Sequence, residues 1–169
     1  MRSVDLPEDA EIPEAALQRL RALPPINIYR LLGIVAQAVV PWSDLTRAVY
    51  ECDLDPRLRE IGICRQAHAA NADYELHQHR FIARNNGVAE AELEAVLSES
   101  TVRSLDPPAN LVCRVADELE GSATLSDETF DRVVWSLRST RRDGAGVHPQ
   151  LLRGGGQTVQ CHPDTDRGR

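Results

Sequence analysis

Residues 60–79 read EIGICRQAHAANADYELHQH, and they gather a glutamate, a Tyr-Glu pair and three histidines in a stretch otherwise rich in alanine. Glu75 and His79 are four apart, so on a helix they share a face within side-chain reach. Glu60 lies in the preceding segment, and a tight turn at 70–73 would bring it across from them, with Tyr74 at the rim. Such a group suits proton transfer: imidazole titrates near neutral pH, and a neighbouring carboxylate can fix its tautomer and raise its basicity. His79 is then the acid or base, and Glu60, Glu75 and Tyr74 complete the candidate set. The alternative is an exposed Glu75–His79 pair contributing roughly a few tenths of a kcal/mol. Spacing by itself leaves both open.

Other reactive patterns are weaker. His77 and His79 project about 200° apart on a helix, so they could share a metal only on a strand, and no metal site is expected. His68, near the end of its helix, suits the dipole there. His148 and His162 fall in an unpatterned tail and carry no assignment. No GxSxG nucleophile turn and no GxxxxGK[ST] phosphate loop occurs.

Helices must position these groups. PEAALQRLRAL (13–23) opens with Pro13 and aligns Leu17, Leu20 and Leu23. After Pro24 and Pro25, INIYRLLGIVAQAVV predicts a second, buried helix that stops at Pro41, with a shorter one over 42–51. Asp55-Pro56 starts a helix ending near Asn71, and Asp73 caps the next, which Gly87 closes as a left-handed C-terminal residue. The two form a helical hairpin around the candidate site. VAEAELEAVL predicts a short helix, and Pro107-Pro108 open another through Glu120 that Gly121 ends. TLSDETFDRVVWSL then offers Ser126 as N-cap, Asp127 and Glu128 in the first turn, and Phe130, Val133, Val134 and Leu137 as a buried stripe.

The 169 residues suffice for one domain with a sizeable core. Apolar residues make up 42% but aromatics only 4%, and Ala, Leu, Val and Ile dominate, which predicts an all-α fold. A net charge of −7 without a basic patch argues against nucleic acid as a partner. With no apolar run of about 18 residues and a polar, acidic N-terminus, a cytoplasmic chain with no membrane partner is expected. Cys52, Cys64, Cys113 and Cys161 show no CxxC and no ligand spacing; the first three are expected to be small buried residues.

From about residue 139 the texture changes to Gly, Arg, Pro and Asp without periodicity, so the helical domain is placed at 1–138 and a polar, disordered tail at 139–169. All nineteen basic residues of the chain are arginine, a bias of GC-rich coding DNA. The tail's composition is also what a frameshift in such DNA yields, and a native last helix is expected to be missing.

RLREIGICRQAHAANADYELHQHRFIARNNGVAEAELEAV resembles the core of the carboxymuconolactone decarboxylase family, which shares an all-helical fold with alkyl hydroperoxidase D. The family's R-E-L, Y-E-x-x-x-H and I-A-x-x-x-G-[LV] patterns stand here as Arg59-Glu60-Ile61, Tyr74-Glu75 to His79, and Ile82-Ala83 to Gly87-Val88. LPPINIYRLL and LSDETFDRVV resemble the flanking helices, so the likeness spans roughly residues 20–138. In the hydroperoxidase branch a CxxC pair works with the glutamate and histidine, but those cysteine positions hold Ala72 and Glu75. Thiol peroxidase activity is therefore ranked last. The decarboxylase-like branch implies a cofactor-independent lyase that removes CO₂ from a small cyclic carboxylic acid or lactone of aromatic catabolism. His79 would move the proton while Glu60 and Glu75 orient it. Arg30 is the candidate for holding the substrate carboxylate. The resemblance also implies a homo-oligomer, trimer or hexamer; a non-catalytic helical binding or oligomerisation protein is the alternative.

Overall fold

A computed structural model describes residues 4–142, with side chains through residue 136. Among these residues the secondary structure is helical, with no strand. The chain divides into two compact units, one ending at Cys52 and the other starting at Asp53.

In the first unit a 3₁₀ turn at Asp9–Glu11 precedes α1 (Glu14–Arg21), α2 (Asn27–Leu32) and α3 (Ala36–Tyr50). Leu17 and Leu20 of α1 pack with Ile12 and Val39 into a small core. Gly33 packs closely there: a Cβ would lie 2.6 Å from Ile12 Cδ1, so the end of that side chain would have to move. Pro41 does not end a helix as its ring predicts; it lies inside α3, and the break falls instead on a 3₁₀ turn at Gly33–Val35. Pro41 itself is exposed, while burial of Val39 and Ser43 on the opposite side holds the helix through the lost backbone hydrogen bond.

The second unit is built around α4 (Pro56–Ala69), which is covered by α5 (Asp73–Asn85), α6 (Glu90–Ser98) and α7 (Pro107–Ser122). Asp55 caps α4 by accepting from Arg57 N at 2.8 Å, with Pro56 in the first turn. Leu58, Ile61, Cys64 and Ala67 are fully buried, and they share a core with Ala83, Leu93, Val96 and Cys113. Gly62 allows α7 to approach closely, since a Cβ would lie 2.7 Å from Val112 Cγ1.

Asn71 sits in the left-handed region at φ 54°, with Asn71 N bonded to His68 O at 3.1 Å and Ala72 N to Ala67 O at 2.8 Å. This is the Schellman arrangement, and it reverses the chain within three residues so that α5 returns along α4. Ala72, not Asp73, takes the N-cap position of α5. The same arrangement closes α5 at Gly87, φ 85°.

α7 runs through Gly121 to Ser122 and ends with Ala123 in the left-handed region at φ 55°. α8 (Asp127–Arg142) starts at Ser126, whose Oγ accepts from Thr129 N at 3.3 Å. Phe130, Val133 and Val134 are half-buried; among the described side chains of α8 the buried ones are Thr129 and Ser136. The expected tail begins as the last turn of α8 over residues 139–142, and the rest of it, like the side chain of Leu137, lies outside the described residues.

Candidate acid–base site

Glu60 lies in the second turn of α4 and is completely buried. A buried carboxylate is stable only when its oxygens are satisfied, and here the two are divided between two partners. Glu60 Oε1 accepts from Arg59 Nε at 3.0 Å, and Oε2 lies 2.7 Å from His79 Nδ1. Arg59 is itself buried, with 7% of its side chain exposed, and His79 shows 16%. The α4–α5 hairpin produces this meeting by bringing the second turn of α4 opposite the middle of α5.

Burial acts to raise the Glu60 pKa, but the hydrogen bonds from His79 and Arg59 and their charges outweigh it, so the carboxyl stays below its ordinary value. An ionised carboxylate only accepts, which assigns the proton of the short contact to His79 Nδ1. The other ring nitrogen, Nε2, is then the basic one, and it has no hydrogen-bond partner among the described residues. This arrangement can take up or deliver a proton at Nε2 while a fixed anion stabilises the charged ring.

The remaining sequence candidates sit elsewhere. Glu75 is exposed, and the partner of the imidazole is Glu60 and not the carboxylate four residues before it. Tyr74 is 45% exposed on the outer side of α5. His77 and His68 are exposed as well. Arg30 belongs to the first unit, where Nε donates to Pro7 O at 2.7 Å and Nη1 to Asp9 Oδ1 at 2.6 Å. There it borders a pocket of about 260 Å³ with Leu17, Pro25 and Tyr29. Arg59 was not among the residues singled out for chemistry, although its identity was visible in the Arg-Glu pair.

The cysteines differ among themselves. Cys64 and Cys113 are buried as expected, but Cys52 is exposed, because it follows the end of α3 and lies in neither core. Burial, reinforced by the Glu60 charge, pushes the Cys64 thiol up to about 11. At neutral pH it is a protonated thiol one helical turn from Glu60, not a thiolate nucleophile.

Residues 40–118 match the carboxymuconolactone decarboxylase family model. That segment is a carboxymuconolactone decarboxylase family domain. The match contains Arg59, Glu60, Tyr74, Glu75 and His79 and excludes Arg30 and α8. The all-helical architecture agrees with the fold that the family shares with alkyl hydroperoxidase D. No curated protein and no solved structure is similar enough to this chain to match it.

Proposed function

We propose that the chain is a decarboxylase-like lyase acting on a small cyclic carboxylic acid or lactone, with His79 as the proton-transfer residue. The observation that carries this reading is the 2.7 Å contact between His79 Nδ1 and a fully buried Glu60 carboxylate, which directs Nε2 outward from the pair. In the reaction the bond from the ring carbon to the carboxylate breaks and CO₂ leaves. The electron pair passes into the substrate's own unsaturation; Nε2 of His79, bare in the resting pair, takes up a proton from solvent and delivers it to the carbon that lost CO₂, so that each turnover consumes one solvent proton. Glu60 stabilises the imidazolium before transfer and orients the ring throughout. Conjugation in the substrate takes the place of an electron-sink cofactor, and none is proposed. The substrate carboxylate calls for a cation; Arg30, paired with Asp9 in the first unit, is not assigned that part.

A homo-oligomer is part of the proposal. Trp42, Leu45 and Val49 of α3 follow helical spacing and are 48%, 61% and 49% exposed, a stripe that suits burial against another copy. A cytoplasmic location remains the proposed one; no helix of the described residues is long and apolar enough to cross a membrane.

CO₂ release from a panel of small unsaturated cyclic carboxylic acids and lactones tests the reading. Turnover of at least one by the wild type and its loss in a folded His79→Ala variant is expected. No turnover of any of them, with unchanged stability on changing His79, would favour a non-catalytic binding protein.

A further inference from the structure

Arg59 and Glu60 are consecutive in α4, and consecutive helical residues project about 100° apart, so they do not ordinarily meet. Here the arginine nevertheless donates Nε–H to Glu60 Oε1 at 3.0 Å with only 7% of its side chain exposed. A long basic side chain left to itself would extend its head group to water. Burying both charges costs desolvation, which pairing with well-placed hydrogen bonds offsets. We propose that Arg59 is a positioning residue of the site: its guanidinium keeps Glu60 an acceptor-only anion, which fixes the proton on His79 Nδ1 and leaves Nε2 as the working nitrogen.

The charge pattern supports this. With neutral His79, the three residues sum to zero; without the guanidinium the Glu60–His79 pair would hold a buried negative charge and take up a proton more readily. The groups acting most strongly on Glu60 are His79 from α5 and Arg59 from its own helix; Cys64 lies one turn along α4, where the charges of Arg80 and Arg84 of α5 also reach. Among the acids of the two other helices packed on α4, Glu92 of α6 pairs with Arg57 and Asp117 of α7 with Arg65. Removing Arg59 therefore shifts the pair's protonation to higher pH.

The inference rests on the acid–base reading of His79, but its test does not need turnover. Protein labelled with ¹⁵N-histidine reports the protonation of each ring nitrogen across pH, with His79→Gln supplying the assignment. In the wild type at neutral pH the expected state is Nδ1 protonated and Nε2 bare. In Arg59→Met the protonation midpoint of the Glu60–His79 pair should rise by about one pH unit or more, while Arg59→Lys, which keeps the charge, should stay within about half a unit. Should Arg59→Met fail to fold, Arg59→Gln, which retains a hydrogen-bond donor without the charge, carries the comparison. An unchanged tautomer and midpoint in the charge-removing variant would overturn the role of Arg59, even where turnover depends on His79. A wild-type enzyme that turns over no substrate but shows the shift would leave Arg59 in place and count against the lyase reading alone.

Discussion

Glu60 has no contact with water, so the stability of its surroundings depends on the groups that hold it. Replacing it with alanine leaves the Arg59 guanidinium buried without that counter-charge, and losing one partner of such a pair costs about 3 kcal/mol or more. Chemical denaturation should show that loss for Glu60→Ala and a smaller one for Glu60→Gln, which keeps the shape; equal, negligible losses would mean the pair does not hold the site. At this scale the sequence was partly legible. The Glu75–His79 spacing pointed to an acid–base pair on α5, and the hairpin argument brought Glu60 to it. Which carboxylate meets the ring was not readable, because helical spacing gives a shared face but not the rotation of that face toward the core. Arg59 escaped notice for a related reason: neighbours in sequence point apart on a helix unless a long side chain bends back.

Between α7 and α8 the decisive residue is Glu118. Its carboxylate accepts from Thr129 Oγ1 at 2.7 Å, Ser126 N at 2.7 Å, Ser126 Oγ at 3.0 Å and Arg114 Nε at 2.9 Å. Burial opposes ionisation, but these donors overcome it and hold the pKa at about 2, against an ordinary 4.5. A depressed carboxyl pKa stabilises the folded state above the ordinary value, and that contribution is lost as the pH falls from about 4.5 through about 2. With the group partly exposed and its charge screened, Glu118→Gln should cost about 1 kcal/mol at neutral pH, and the difference should vanish in acid. Hydrogen exchange along α8 checks this; an equal difference at pH 2 and pH 7 would contradict it. Some helix starts were marked in the sequence, since Asp55 and Ser126 are side-chain caps of short reach and Pro107 opens α7, whereas Asp73 is not the N-cap of α5. Ends and breaks were less so: burial of Val39 and Ser43 carried α3 through Pro41 against local propensity, and α7 runs one residue past Gly121 in an exposed last turn, where no packing accounts for it.

For the whole molecule, the apolar stripe of α3 and the chemistry of His79 are the features that reach beyond one chain. Leu45→Glu places a charge at the centre of the stripe and should lower the mass measured by light scattering, if copies associate there. A wild type that is monomeric across the working concentration range would remove that proposal. The all-helical class was readable from composition and periodicity, because alanine-rich amphipathic segments with few aromatics have few other ways to form a core. The substrate was not, because side-chain spacing along a helix does not define the shape of the space beside Nε2. The most direct test of the central claim is the rate of CO₂ release by folded His79→Ala, with and without added imidazole, on an acid that the wild type decarboxylates. Loss of about 10²-fold or more, partly restored by imidazole, is the predicted result; a variant that turns over at the wild-type rate would contradict it.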